Sequence, residues 1–458
     1  MIETIEVVII GAGPAGLAAA HQARALGLQV RVLDEQHSPG GQIYRGVRHA
    51  PAARQALLGT DYQGGAALVR EFLASGVDYV PGASVWLITA ERRVHYLVAG
   101  NARVVQAQRV IFCCGAYERP MPIPGWTLPG VMTAGAGQVL FKSSGQVPAS
   151  NVVLAGSGPL LYLLAWQYLQ AGIKITALVD TSSRRDLGGA LRHLPAAFAG
   201  WRQLAKGIGY ISAIRRAGIA WYRGATKLSV EGVTSAEALS FEVGGRTLRI
   251  ASELILLHQG IVPNTQPTLA LGATHRWDER QLCWIAQQNA WGELSVPGCF
   301  IAGDAAGIDG AQAAYLQGQV VAIGVALSLQ RLSAKDAGHR TAPLLKALRR
   351  YRCIRPLLET LYRPQEEFRR PANATVVCRC EEVTAGDIRG YAALGCLGPN
   401  QTKAFGRCGM GPCQGRMCGL AVTELLAAAH DMTPSDVGYY RIRPPLKPIT
   451  LAELATEH

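Results

Sequence analysis

Val7-Val8-Ile9-Ile10-Gly11-Ala12-Gly13-Pro14-Ala15-Gly16-Leu17 decides how this chain is read. Four β-branched residues in a row suit a buried parallel strand, although so short a run also fits a piece of buried helix. Leu17-Ala18-Ala19-Ala20 reads as helix, and a second apolar strand, Val30-Arg31-Val32-Leu33, ends in Asp34-Glu35. Strand, Gly-x-Gly-x-x-Gly turn, helix, strand and acid stand in register, which is the dinucleotide-binding fingerprint of a βαβ unit. Gly11 makes the tight turn. Gly13 lets a pyrophosphate approach bare backbone at the helix N-terminus, where free N–H groups and the dipole favour anions. Gly16 lets helix and strand pack closely, so the phosphates are expected over Gly11 to Gly16, Pro14 and Ala15 included. Asp34 or Glu35 would accept from a ribose hydroxyl; Asp34 is favoured because it ends the strand directly.

The remaining composition narrows the class. A chain of 458 residues, 49% hydrophobic, can bury several cores and hold two to four domains. The net charge of +13 is high, but no nucleic-acid module accompanies it, and anionic ligands or an acidic partner account for it better. No stretch is apolar for the roughly 18 residues of a membrane helix. The first strand begins almost at Met1, which leaves no room for a signal peptide, and 11 cysteines then imply a reducing compartment. The expected location is cytoplasmic, with peripheral attachment to the inner membrane left open.

Further along, Gly40-Gly41-Gln42 follows the second strand, and Val110-Ile111-Phe112-Cys113-Cys114-Gly115 is a buried strand ending in a small-residue turn. The proline-rich run from Tyr117 to Gly135 reads as an ordered crossover, neither helix nor central strand. Asn151 to Leu161 opens a second βαβ unit whose second strand ends at Asp180, but its third glycine position is Leu161. Val296 to Gly307 is a strand ending in Gly303-Asp304 with a small-residue helix after it. These segments resemble the flavoproteins with two dinucleotide-binding domains. The resemblance implies that Gly41 and Gln42 lie along a flavin, that Gly115 marks the exit from the first half of the flavin domain, and that Asp304 bonds the ribityl chain. It favours FAD at the first site. Leu161 argues against NAD(P) at the second. The adjacent Cys113 and Cys114 read as small buried hydrophobes.

The sharpest chemical signal is Cys378-x-Cys380 and, further on, Cys413-x4-Cys418. Two local thiol pairs fit one compact metal site. Zinc usually takes wider knuckles on both sides, whereas a tight pair and a glycine-flanked pair at a helix start suit a [2Fe–2S] cluster. Cys408 is an extra cysteine nearby, read as a non-ligand able to substitute for one. The wording Gly409-Met410-Gly411-Pro412-Cys413-Gln414-Gly415-Arg416-Met417-Cys418 resembles the bacterioferritin-associated-ferredoxin-like [2Fe–2S] domain.

The order of these pieces, with Gly125-Trp126-Thr127-Leu128-Pro129-Gly130-Val131-Met132-Thr133-Ala134-Gly135 between them, resembles one family across nearly the whole chain. It is that of the α subunits of heteromeric flavin-dependent amino-acid and opine dehydrogenases. The resemblance implies an α/β fold: a discontinuous FAD domain (1–150 and 250–330), an inserted NAD(P)-like domain (151–249), a linker (331–373), a small mainly α [2Fe–2S] domain (374–440) and a tail (441–458). It implies a smaller, D-amino-acid-oxidase-like β subunit that oxidises the C–N bond, electron delivery to a quinone or dye, and an FMN at the subunit boundary. No catalytic constellation stands out, and His258 reads as a strand-end histidine with a satisfied ring. The competing classes are a stand-alone NAD(P)H-dependent reductase and an iron–sulfur scaffold.

Overall fold

The computed structural model describes residues 2–149 and 151–456, and the chain divides into two compact units. The first comprises Met1–Tyr117, Val262–Arg352 and Arg441–His458; the second comprises Glu118–Ile261 and Cys353–Tyr440. Both are α/β.

In the first unit, Glu3–Ile10 is a central strand of a seven-stranded sheet. It pairs in parallel with Val30–Asp34 on one side and Asn101–Phe112 on the other. Val7 to Ile10 are buried on both faces, as expected of a parallel strand covered by helices. Asp78–Pro81 extends the sheet beyond Val30–Asp34, and Cys299–Ile301 pairs in parallel with the far end of Asn101–Phe112. Arg93–Val98 and Ser84–Ile88 turn antiparallel and make the sheet mixed. The helix Pro14–Ala25 packs on Ala311–Ser328, whose Gly318 abuts the Ala15 carbonyl too closely to admit a Cβ.

The second unit carries a five-stranded parallel sheet in the order Ala220–Arg223, Ile175–Asp180, Val152–Gly156, Leu254–His258, Val131–Thr133. A three-stranded antiparallel sheet accompanies it, from Thr226–Glu231, Ala238–Val243 and Arg246–Ala251. The unit therefore begins at Glu118, earlier than the boundary at residue 151. The crossover contributes Val131–Thr133 to the sheet edge, and the helix Ala134–Ser144 follows it directly. Only the proline-dense part before it stays irregular, since prolines cannot donate to a ladder.

Much of 331–373, expected as a basic linker with helical pieces such as Leu344 to Arg350, is helical. Ala334–Arg352 is one helix whose Ala337, Thr341 and Leu348 are buried, and it packs on Ala311–Ser328. The cysteine-bearing segment is not a separate body. Phe368 and Met417 join an apolar core with Met121, Ile123, Trp126 and Val153. The Trp126 indole N–H donates to the Val376 carbonyl at 2.7 Å. The segment is mainly α: Ala385–Ala393, Pro399–Gly406 and Gly419–Ala429 follow a short β-hairpin. Thr384 and Asp387 cap the first of these reciprocally. The tail belongs to the first unit, where the Leu446 amide donates to the Trp86 carbonyl and the Ala102 amide to the Thr456 hydroxyl.

Candidate nucleotide site and thiol centre

The first site grows from the turn after Glu3–Ile10. Gly11 has φ +103°, and a Cβ there would press on the Cys113 carbonyl; a Cβ on Gly16 would run into the Gly11 carbonyl. Both glycines are fixed by the protein itself. Gly13 differs. Its φ of −77° is open to any residue, and a Cβ would meet only the Gly41 Cα, at 3.8 Å. Nothing in the protein demands glycine here, so the space over Gly13 is a cradle a side chain would fill and a phosphate can use. Gly41, at φ +61°, brings its own backbone against Gly13, and the Gly40 amide donates to the Ala12 carbonyl at 2.8 Å. The loop thus crosses the turn by bare backbone. Pro14 and Ala15 form the first turn of the helix.

Asp34 and Glu35 diverge. Asp34 is buried; its Oδ1 accepts from the Gln36 amide, and its Oδ2 is buried with no partner. Burial pushes its carboxyl up to about 6, against amide hydrogen bonds from Gln36 and Ala12 that pull the other way. An orphaned acceptor at the end of the second strand fits a ribose hydroxyl donor. Glu35 turns outward and pairs with Lys447 of the tail. Gln42 is exposed, and its side-chain oxygen accepts from Arg45. Gly115, at φ +66°, has open space where a Cβ would be, and its carbonyl accepts from the Asn264 amide. Gly303 lies too close to Ala15 for a Cβ, and Asp304 Oδ1 accepts from the amides of Asp309 and Gly310 at 3.1 Å. That carboxylate oxygen therefore orders the loop ahead of Ala311–Ser328; the helix begins later than its small-residue pattern implies. The open backbone and the orphaned carboxylate oxygen fit an adenine dinucleotide such as FAD. Cys113 and Cys114 are thiols whose titration burial pushes up, the latter to about 12, which makes them poor redox groups.

The second nucleotide-like turn is occupied by its own side chains. A Cβ on Gly158 would meet the His258 Nε2 at 3.0 Å. His258 is buried, with its Nδ1 on Glu118 at 2.5 Å, and Glu118 also accepts from the Gly135 amide. Asp180, which would face a ribose, is buried and accepts from the Tyr162 hydroxyl, the Ser182 amide and, at 3.4 Å, the Trp221 indole. Leu161 is fully buried in the core position.

The thiol centre lies in the second unit. The sulfurs of Cys378, Cys408 and Cys418 are buried and within 4.8 Å of one another. Cys378 accepts from both of the others and from the Gly409 and Glu381 amides, which holds its titration down at about 2 while Cys408 is pushed up to about 12. Cys380 and Cys413, more accessible, hydrogen-bond to each other. Spacing along the chain brings out four of these five; Cys408 is placed against the buried pair by fold alone. Sequence reasoning misses Tyr440 altogether. It is fully buried, its hydroxyl donates to Cys408 Sγ at 3.4 Å, and a Cβ on Gly409 or Gly415 would strike its ring. The only signal is that glycine pair, since both take positive φ. Arg407 pairs with Glu381, Lys403 lies over the Tyr440 ring, and Arg379 over Trp126. Five thiols in glycine-rich backbone are a donor set that fits an iron–sulfur centre.

These features define an oxidoreductase built on paired dinucleotide folds. Residues 5–318 match the family described as pyridine nucleotide-disulphide oxidoreductase, and residues 373–458 match the sarcosine oxidase A3 domain. The chain belongs to that oxidoreductase family and, within it, groups with the A subunits of opine oxidases. It is 43% identical to the A subunit of the opine oxidase of Agrobacterium tumefaciens (strain Ach5), across 98% of this chain and 91% of that one. It is 30% identical to hydrogen cyanide synthase subunit HcnB of Pseudomonas aeruginosa, across 96% of each. The L-proline dehydrogenase of P. horikoshii shares the fold, with a TM-score of 0.70 at 17% identity over 99% of this chain and 80% of that one. The chain is an oxidoreductase subunit. Among the described residues no helix is long and apolar enough to cross a membrane.

Proposed function

We propose that this chain is the electron-carrying subunit of a heteromeric amine dehydrogenase that acts on an opine or amino acid. The observation that carries the reading is the pairing, in one chain, of a nucleotide cradle with an orphaned carboxylate oxygen and a five-thiol centre. FAD would be held by the backbone from Gly11 to Gly16, by Asp34, and by the loops at Gly41-Gln42, Gly115 and Gly303-Asp304. A [2Fe–2S] cluster would be held by Cys378, Cys380, Cys413 and Cys418. When bound, the flavin supplies conversion between the two electrons of amine oxidation and the single electrons of a cluster. The chain's own contribution is to bind, orient and insulate these groups. The buried His258 is engaged by Glu118 inside the second unit, so the amine is assigned to a smaller D-amino-acid-oxidase-like partner, with FMN at the boundary and a quinone or dye as acceptor.

The test is reconstitution. The purified chain alone is expected to show negligible opine or amino-acid turnover with an artificial dye, and co-expression with the smaller partner is expected to restore it. Substantial turnover by the chain alone would overturn the reading.

A further inference from the structure

The structure holds five thiols where a [2Fe–2S] cluster takes four. Cys380 and Cys413 make one hydrogen-bonded pair, which suffices for one iron. Cys378, Cys408 and Cys418 are then three candidates for the two remaining places. Their surroundings differ. Cys378 receives the Gly409 and Glu381 amides. Cys418 is the N-cap of Gly419–Ala429, where the helix dipole stabilises negative sulfur. Cys408 lies just beyond the opposite, carbonyl end of Pro399–Gly406, after Arg407 in the left-handed conformation, where the dipole disfavours an anion. Its neighbours hold it in place. Tyr440 donates to its sulfur, the Thr402 hydroxyl stands 3.3 Å from the Tyr440 hydroxyl, and Thr402 also reaches the Cys408 carbonyl.

We propose that Cys408 is not a ligand but a positioning residue, whose S–H donates to the ligand sulfur of Cys378 and is oriented by Tyr440. This rests on the cluster assigned above. Reduction adds one electron, and with it one negative charge, to a cluster already anionic. A donor aimed at its sulfurs stabilises the reduced form more than the oxidised one, and so raises the potential. No bond to carbon changes, and no proton need leave Cys408.

The experiment is a redox titration of the full chain with iron and sulfide analysis. C408A is expected to keep wild-type iron and sulfide but to titrate at a more negative potential. C408S, which retains a weaker-fitting donor, is expected to fall between, and Y440F to shift in the same direction as C408A. Loss of iron in both Cys408 variants would make Cys408 a ligand and overturn the proposal, as would unchanged potentials in C408A and Y440F. Wild-type protein that carries zinc and no iron would instead overturn the cluster itself, and with it this role.

Discussion

At the scale of single residues, the two most informative groups are those the protein leaves unsatisfied. Gly13 has a backbone any residue could adopt and room for one. Gly13→Val is therefore expected to leave the apoprotein within about 1 kcal/mol of wild type, as for a helix-cap change, yet to lower FAD affinity at least ~10-fold. Flavin content after purification and thermal unfolding of the apoprotein separate the two effects. Full flavin retention would mean that the phosphates lie elsewhere. Asp34 predicts a pH dependence. Its carboxyl titrates at about 6, and a ribose hydroxyl donor favours the ionised form. Above that value binding moves no proton; below it a proton must leave. FAD affinity should thus be level above neutrality and fall as pH drops through the Asp34 value, by at most about tenfold per unit. Asp34→Asn should bind more weakly and lose the dependence. Flavin fluorescence quenching across that range measures both.

At the scale of elements, two βαβ turns of the same design have opposite fates. After Glu3–Ile10 the turn keeps open backbone. After Val152–Gly156 it faces an imidazole, its acid is taken by Tyr162, Trp221 and the Ser182 amide, and Leu161 fills the helix–strand seam. A nucleotide would have to displace three hydrogen-bonded groups, of which the Tyr162 hydroxyl is buried and costly to leave unpaired. Calorimetry with NADH is expected to show no tight binding to the full chain. Tight binding that disappears on Gly158→Val would show that the second turn still functions. Tyr162 also packs against the Tyr362 ring, so the element after Ala334–Arg352 helps to close the position.

At the scale of the whole molecule, the formal charge of +13 is spread over both units. An anionic nucleotide and cluster would neutralise part of it, and an acidic partner would meet the rest. Electrostatic steering acts on encounter rate more than on bound-state energy. Association with the proposed partner is therefore expected to slow by at least severalfold between low salt and about 0.5 M, as the Debye length contracts, while flavin and iron content stay constant. Stopped-flow association at several salt concentrations checks this; a salt-independent rate would remove the charge from the argument.

How much is legible in the sequence depends on whether a feature is local. The nucleotide turn, its helix, Asp34, the Gly303-Asp304 signature and the thiol pairs all follow from short spacings along one strand or loop. The Thr384 cap is of the same kind, because a cap is decided within four residues. Unit boundaries are not local. Val131–Thr133 joins a sheet edge set by Leu254–His258, and the run after residue 331 is helix because its apolar face has a neighbouring helix to cover it. Nor is the difference between Asp34 and Asp180. Both end a second strand after a glycine-rich turn, and only packing decides which carboxylate remains free to accept and which is bound by a tyrosine and a tryptophan. Cys408 and Tyr440 close the comparison. The sequence by itself determined the class of chemistry, since thiols and glycines at fixed spacing admit few others. Only the tertiary structure decided which sulfurs meet, because Cys378 and Cys418 are brought together by hairpin and helix packing, and a fifth thiol enters their contact on the end of a different helix.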